Sequence, residues 1–184
     1  MTEALLDEES DVDARLIERY RAGDERAATE LVTRHAQALA RFAASLGERE
    51  DIDELVQDTF VRAFSALESF RSESSLRTWL FTIERRLVLD RRRSAARRNA
   101  RFEDTAAELA TEHTALDTVV AEETEGRVRR ALERLSPLQR EVFVLRVAEG
   151  RSYKEIAEIA GTTEGAARVH YHNAMRAVKE FVDA

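Results

Sequence analysis

Glycine and proline, the residues that punctuate turns, are almost missing from this chain: six Gly and one Pro in 184 residues. Tight hairpins rely on Gly and Asn-Gly turns, so a sheet of many short strands has no material here. Ala, Arg, Glu and Leu dominate instead, and all are good helix formers. The predicted fold class is all-α. The chain has no cysteine, which excludes disulfide staples, zinc ribbons, iron–sulfur clusters and thiol catalysis. No run approaches the ~18 apolar residues of a membrane span, so no membrane insertion is expected. The acidic start, Met1-Thr2-Glu3-Ala4-Leu5-Leu6-Asp7, lacks the basic and apolar regions of a secretory signal. The expected location is the cytoplasm.

The net charge of −7 hides strong patterning. Residues 1–13 carry −6 and read as an acidic tail, residues 14–76 carry −3, and residues 77–101 carry +7 from nine arginines. Residues 103–125 carry −8 with no Lys or Arg, and residues 126–184 return to +3. The stretch 99–125 reads as an acidic linker: its content of bulky apolar residues is too low to build a core. It separates a domain at 14–98 from one at 126–184. Local basic patches, not the total charge, decide whether phosphate is a plausible partner.

Helical periodicity fills both domains. Val12, Leu16, Ile17 and Tyr20 recur at helical spacing before Gly23. Asp24 is placed to cap a second helix, whose stripe is Ala28, Leu31, His35, Leu39, Phe42 and Leu46. A third is expected from Asp51, with Glu54 as capping-box partner, and a fourth from about Leu76 to Ala96 with Trp79, Leu80, Ile83, Leu87 and Val88 facing in. In the second domain Val128, Ala131, Leu132 and Leu135 form one helix. Ser136-Pro137-Leu138-Gln139 and Ser152-Tyr153-Lys154-Glu155 are capping boxes. The helices behind them carry Leu138, Val142, Phe143, Leu145 and Val147, then Ile156, Ala157, Ile159 and Ala160. Gly161 ends the second of these, and Thr162 or Thr163 caps a last helix whose inward stripe is Ala167, Tyr171, Ala174, Met175, Val178 and Val182.

Ala157, Gly161 and Ala167 have helix-turn-helix spacing. Stepping about 100° per residue from Ala167 sets Arg168, Val169, His172 and Arg176 on the outward side, where such a helix meets a DNA major groove. Thr163 and the free N–H groups at the helix start suit a phosphate. In the first domain a polar loop is followed by Trp79 and an Arg-dense helix. Hydroxyls and arginines in that order suit single-stranded or melted DNA, while Trp79 itself reads mostly as core. His170 and His172 diverge by about 200° on a helix and have no third ligand at suitable spacing. No metal and no cofactor are expected. No nucleophile–base motif or phosphate-binding Gly loop is present, so no enzyme is expected.

Several of these stretches resemble extracytoplasmic-function (ECF) sigma factors, in order along residues 14–98 and 126–182. Asp53-Glu54-Leu55-Val56-Gln57-Asp58-Thr59-Phe60-Val61-Arg62-Ala63-Phe64 resembles their core-polymerase-binding helix. Phe70-Arg71, Thr78-Trp79-Leu80, Ile83 and Asp90-Arg91-Arg92-Arg93 resemble their −10 region. Leu135 to Phe143 and Ser152 to Ala157 resemble their −35-binding domain.

The resemblance implies that Glu54, Gln57, Asp58 and Arg62 contact core RNA polymerase. It implies that Ser72, Ser74 and Ser75 form the pocket for a base flipped from the −10 element, and that Arg85, Arg86, Arg92 and Arg93 hold the flanking backbone. Unstacking a base costs a few kcal/mol, which aromatic or hydroxyl contacts and phosphate neutralisation can offset, so melting should be salt-sensitive. Arg168, Val169, His172 and Arg176 would face the −35 element, with Arg151, Lys154 and Thr163 on phosphates. The linker would thread toward the active centre of the polymerase, its charge serving as nucleic-acid mimicry or as plain solubility. Promoter DNA, core polymerase and an anti-sigma factor are the implied partners.

The chain departs from the family pattern at Ser72, Glu84 and Arg86, where relatives often carry Gly, Ala and Asn. In the recognition helix, two commonly basic positions are His170 and Asn173, and a common Ser is Val169. A weaker electrostatic grip and an altered −35 sequence follow, with Val169 toward a thymine methyl and Asn173 toward adenine. Two other classes compete: a stand-alone helix-turn-helix regulator using the second domain alone, and an acidic helical adaptor without promoter dependence.

Overall fold

The computed structural model describes residues 2–71, 73–102, 126 and 130–182, with backbone alone at 2–9, 99–102 and 182. Ser72, the stretch 103–125 read as a linker, and Val128 lie outside the described residues, as does the side chain of Val182. The described residues include the α-helices α1 (Thr2–Arg21), α2 (Glu25–Ser45), α3 (Ile52–Ala66), α4 (Leu76–Phe102), α5 (Pro137–Val147), α6 (Tyr153–Ala160) and α7 (Glu164–Val182). A 3₁₀ turn, Leu67–Ser69, leads out of α3, and residues 130–133 are helical ahead of α5. Among the described residues there is no strand, and no helix is long and apolar enough to cross a membrane.

The caps lie largely where the side chains allow them. Asp24 accepts the Arg26 N–H at 3.0 Å. Ser136 with Gln139 and Ser152 with Glu155 form full capping boxes. Gly161 closes α6 at φ +63°, a left-handed value that a Cβ disfavours, and Thr163 accepts the Ala166 N–H at the start of α7. Asp51 departs from its expected role. Its φ is +56° and it makes no side-chain cap bond, because a left-handed residue lacks the extended backbone that aims a carboxylate at the first-turn N–H groups. Residues 2–13 of the acidic N-terminal stretch are helical, as the first part of α1, and α4 runs on to Phe102.

The buried stripes of α1–α4 meet in a core of Leu31, Leu39, Phe42, Phe60, Leu80 and Phe81. The same core continues without a break into Val142, Leu145, Ile156 and Ile159 of α5 and α6. The two halves therefore share apolar packing, with α2 against α5 and α4 against α6. A smaller cluster of Ala131, Leu135, Phe143, Ala174 and Val178 holds α7 on the second half. Two residues expected on inward stripes face out, Val147 and Met175. Val147 ends α5 and Met175 sits at the edge of its stripe.

Candidate nucleic-acid interface

The outward face of α3 presents Glu54, Gln57 and Arg62 to solvent, with Asp58 half-buried. Val61 lies exposed among them. The acids on this face are not independent of α4: Arg91 Nη2 donates to Asp58 Oδ2 at 2.8 Å and to Glu54 Oε1 at 3.4 Å. The bridge fixes the Asp58 carboxylate on a face otherwise free to meet a partner.

The arginines of α4 divide by environment. Arg86 and Arg93 are exposed, Arg93 within 3.6 Å of Asp90. Arg92 donates to the Leu46 carbonyl and to Glu48. Arg85 points the other way, into the contact between the halves, where its Nε donates to Glu141 Oε1 at 2.6 Å. Burial pushes the Glu141 carboxyl up, although the Arg85 charge and hydrogen bond work against it.

At the start of α4 a hydrogen-bond relay crosses the same junction. Arg151 Nη1 donates to Ser75 Oγ (3.3 Å), Ser75 Oγ to Thr78 Oγ1 (2.9 Å), and Thr78 Oγ1 to Glu155 Oε1 (2.7 Å). Glu155 closes the circuit by accepting Arg151 Nη1 at 3.1 Å, and its second oxygen caps α6 through the Ser152 N–H at 2.8 Å. Burial opposes the charge on Glu155, yet these donors hold its carboxyl below the usual range. Arg41 completes the junction with 2.9 and 3.0 Å contacts to Glu149, whose side chain is 1% exposed.

Arg151, read from the sequence as a phosphate contact, is 2% exposed and engaged by Ser75, Glu155 and the Glu149 carbonyl. Ser74 and Ser75 do border a recess of about 270 Å³, together with Phe70 and Glu73 and with Ser10 and Asp13 of α1. Asp13 is buried on a polar cluster: its Oδ1 accepts Arg34 Nε and its Oδ2 lies 2.9 Å from His35 Nε2. Burial works against the Asp13 charge, but His35 and Arg34 keep its carboxyl below the usual value. Trp79 is half-buried against Phe70, ring centroids 4.9 Å apart, as its core reading requires.

On α7, Arg168, Val169, His172 and Arg176 all reach solvent on one side, and Thr163 and Lys154 are exposed beside them. Asn173, expected toward adenine, is half-buried, and its Oδ1 accepts Arg176 Nη2 at 3.4 Å. His170 is half-buried.

Sequence reasoning missed the buried acids Glu84, Glu141 and Glu149, and saw Glu155 only as a capping-box partner. Glu84 is fully buried on α4, where burial pushes its carboxyl to about 9. Glu84 and Glu141 did carry a signal. Glu84 sits between inward positions Leu80 and Leu87, and Glu141 beside Val142 and Leu145, so both occupy apolar faces of their helices.

Two Sigma-70 regions account for most of this architecture: residues 31–98 match Sigma-70 region 2, and residues 125–178 match Sigma-70 region 4. The sigma factor NccH of Alcaligenes xylosoxydans xylosoxydans is 37% identical over 159 residues, 83% of this chain and 84% of NccH. The sigma factor CnrH of Cupriavidus metallidurans is 33% identical over 183 residues, covering 95% and 96% of the two chains. The ECF sigma-E factor of Escherichia coli is 31% identical over 173 residues, 89% of this chain and 90% of that factor. Among solved structures, the sigma factor RpoE in complex with the anti-sigma factor NepR from Bartonella quintana superposes with a TM-score of 0.69 at 29% identity, covering 85% and 96% of the two chains. CnrH in complex with the cytosolic domain of CnrY gives 0.65 at 32% identity over 94% and 97%. The chain belongs to the ECF family of RNA polymerase sigma factors, a family of transcription initiation factors rather than enzymes.

Proposed function

We propose that this sigma factor docks on core polymerase through Glu54, Gln57, Asp58 and Arg62 of α3, reads the −35 element with Arg168, Val169, His172 and Arg176 of α7, and opens the −10 element with Ser72, Ser74 and Ser75 and with Arg85, Arg86, Arg92 and Arg93. Lys154 and Thr163 hold −35 phosphates, and Arg151 joins them once released from Ser75 and Glu155. Residues 14–98 and 126–184 act as two domains joined by the acidic stretch 99–125. The protein works in the cytoplasm, and bond formation is left to the polymerase.

The observation that carries this reading is the contrast in exposure. The outward faces of α3 and α7 are open, while Ser75, Arg85 and Arg151 are engaged across the junction. Docking can therefore come first, and −10 engagement requires the halves to part. An anti-sigma factor is the expected regulator, supported by the RpoE–NepR complex among the related structures.

Transcription in vitro from a library of randomised promoters, with purified bacterial core polymerase, tests the reading. Enrichment of promoters with two elements at fixed spacing is the expected result. No transcript above core polymerase alone, from a folded chain free of partners, would overturn it.

A further inference from the structure

Arg168 stands exposed on α7 and makes no hydrogen bond or ion pair among the described residues. Its guanidinium carbon lies 4.8 Å from the centroid of the Tyr153 ring. Tyr153 opens α6, one residue after the Ser152 cap, so its backbone is fixed by the capping box. Its ring is fixed too. It meets Tyr171 edge-on with centroids 6.0 Å apart, and Tyr171 stacks at 6.5 Å on Phe143, a core residue of the second half. An aromatic column thus runs from the core to the outward face and ends under Arg168.

A second guanidinium shares the ring: Arg146 lies 4.9 Å from the same centroid. It is also tied by Nη1 to the Arg151 carbonyl at 2.8 Å. Arg146 is pinned by a hydrogen bond, whereas Arg168 is held by the ring alone. Arg168 is the cation of the two that can reach a ligand. A planar guanidinium stacked on a ring has its fork of donors oriented in advance, and a side chain held before binding loses less freedom on binding. In a major groove that fork matches the paired O6 and N7 acceptors of guanine.

We infer that Tyr153 is a positioning residue for promoter reading: its ring holds Arg168 ready to recognise a guanine in the −35 element. The inference rests on the reading of α7 as the −35 helix. Tyr153 acts through Arg168, so their effects do not add.

The test uses holoenzyme reconstituted from the full chain and core polymerase. The probe is a duplex carrying the −35 sequence that wild-type holoenzyme enriches from a randomised library, with each base varied in turn. Arg168→Ala should abolish a preference for guanine at one position, by about 5- to 150-fold. Tyr153→Leu should weaken that same preference about two- to five-fold, leave the other positions unchanged, and leave the salt slope unchanged because no phosphate contact is lost. Tyr153→Phe, which keeps the ring, should behave as wild type. In an Arg168→Ala background Tyr153→Leu should add nothing.

Additive losses, a loss uniform across all bases, or a defect in Tyr153→Phe would each overturn the inference. If Tyr153→Leu does not fold, the δ-protons of Arg168 in the wild-type chain decide the matter. Ring-current-shifted protons, restored to ordinary positions by Tyr153→Gln, support the stack, and unshifted protons in wild type remove it. Failure of wild-type holoenzyme to enrich any −35 sequence would take down the reading of α7 itself and this inference with it. Enrichment without coupling between Tyr153 and Arg168 sinks this inference alone.

Discussion

The loop and first turns of α4 and the outward face of α7 are both candidate DNA-reading surfaces, but they differ in what already occupies them. On α7 the candidate side chains reach solvent. At α4, Ser75, Thr78 and Arg85 are matched to Arg151, Glu155 and Glu141 of the other half, in that order. Carboxylates of the second half stand against arginines of the first: Glu141 on Arg85 and Glu149 on Arg41. The pairing uses the acceptor chemistry that a DNA phosphate would supply. One surface is ready as folded, and the other becomes available only when the junction opens.

The largest expected effect lies in the shared core. Leu145 is fully buried in the cluster that spans both halves, so Leu145→Ala should cost about 2–5 kcal/mol. Chemical denaturation should show it, with the single transition splitting as the halves lose their common packing. An unsplit transition with an ordinary midpoint shift would mean that the halves are coupled mainly through their polar contacts.

Arg85→Ala is next. It leaves the Glu141 carboxylate, 5% exposed, without its charged donor, at a cost of about 1–3 kcal/mol. The radius of gyration should rise in solution scattering, and binding of a −10 single strand by the isolated chain should increase. Removing both partners, as Arg85→Met with Glu141→Leu, should restore most of the stability, since an apolar pair avoids the desolvation of two charges. An unchanged radius in Arg85→Ala would show that this pair does not hold the junction.

The last effect concerns pH. The Glu84 carboxyl moves from 4.5 to about 9 in the folded chain through burial. The folded state then keeps a proton that the unfolded state loses, so this group's contribution to stability is complete below pH 4.5 and declines as pH rises toward 9. Glu84→Gln, which holds the neutral shape, should flatten that decline in thermal melts taken across this window. An identical slope in the variant would place the pH dependence on other groups, such as Glu141, whose carboxyl burial also raises.

Much of the fold was legible because its signals are local. Helical stripes, two capping boxes and the left-handed Gly161 each involve residues a few positions apart. The outward set on α7 followed from counting along one helix. The junction was not legible for the opposite reason. Arg41 and Glu149 are 108 positions apart, and Arg85 and Glu141 are 56 apart. A Glu on the apolar face of a helix, as Glu141 is, signals burial but not which distant arginine it meets. Arg151 shows the cost: taken alone it is one more basic residue beside a helix-turn-helix, and only the packing of α4 against α6 buries it. The Asp51 cap failed for a local reason, since its left-handed backbone leaves no trace in residue type.

On the proposed reading, the open α3 face docks on polymerase while the junction still covers Ser75 and Arg85. Co-elution with purified bacterial core RNA polymerase tests it most directly, wild type beside Gln57→Ala/Asp58→Ala. Both variant positions lie on the outward side of α3, so folding should be retained. A stable complex is expected for wild type, and its loss in the double variant. A complex that survives the double substitution, or a folded, partner-free wild type that never joins the polymerase, would contradict it.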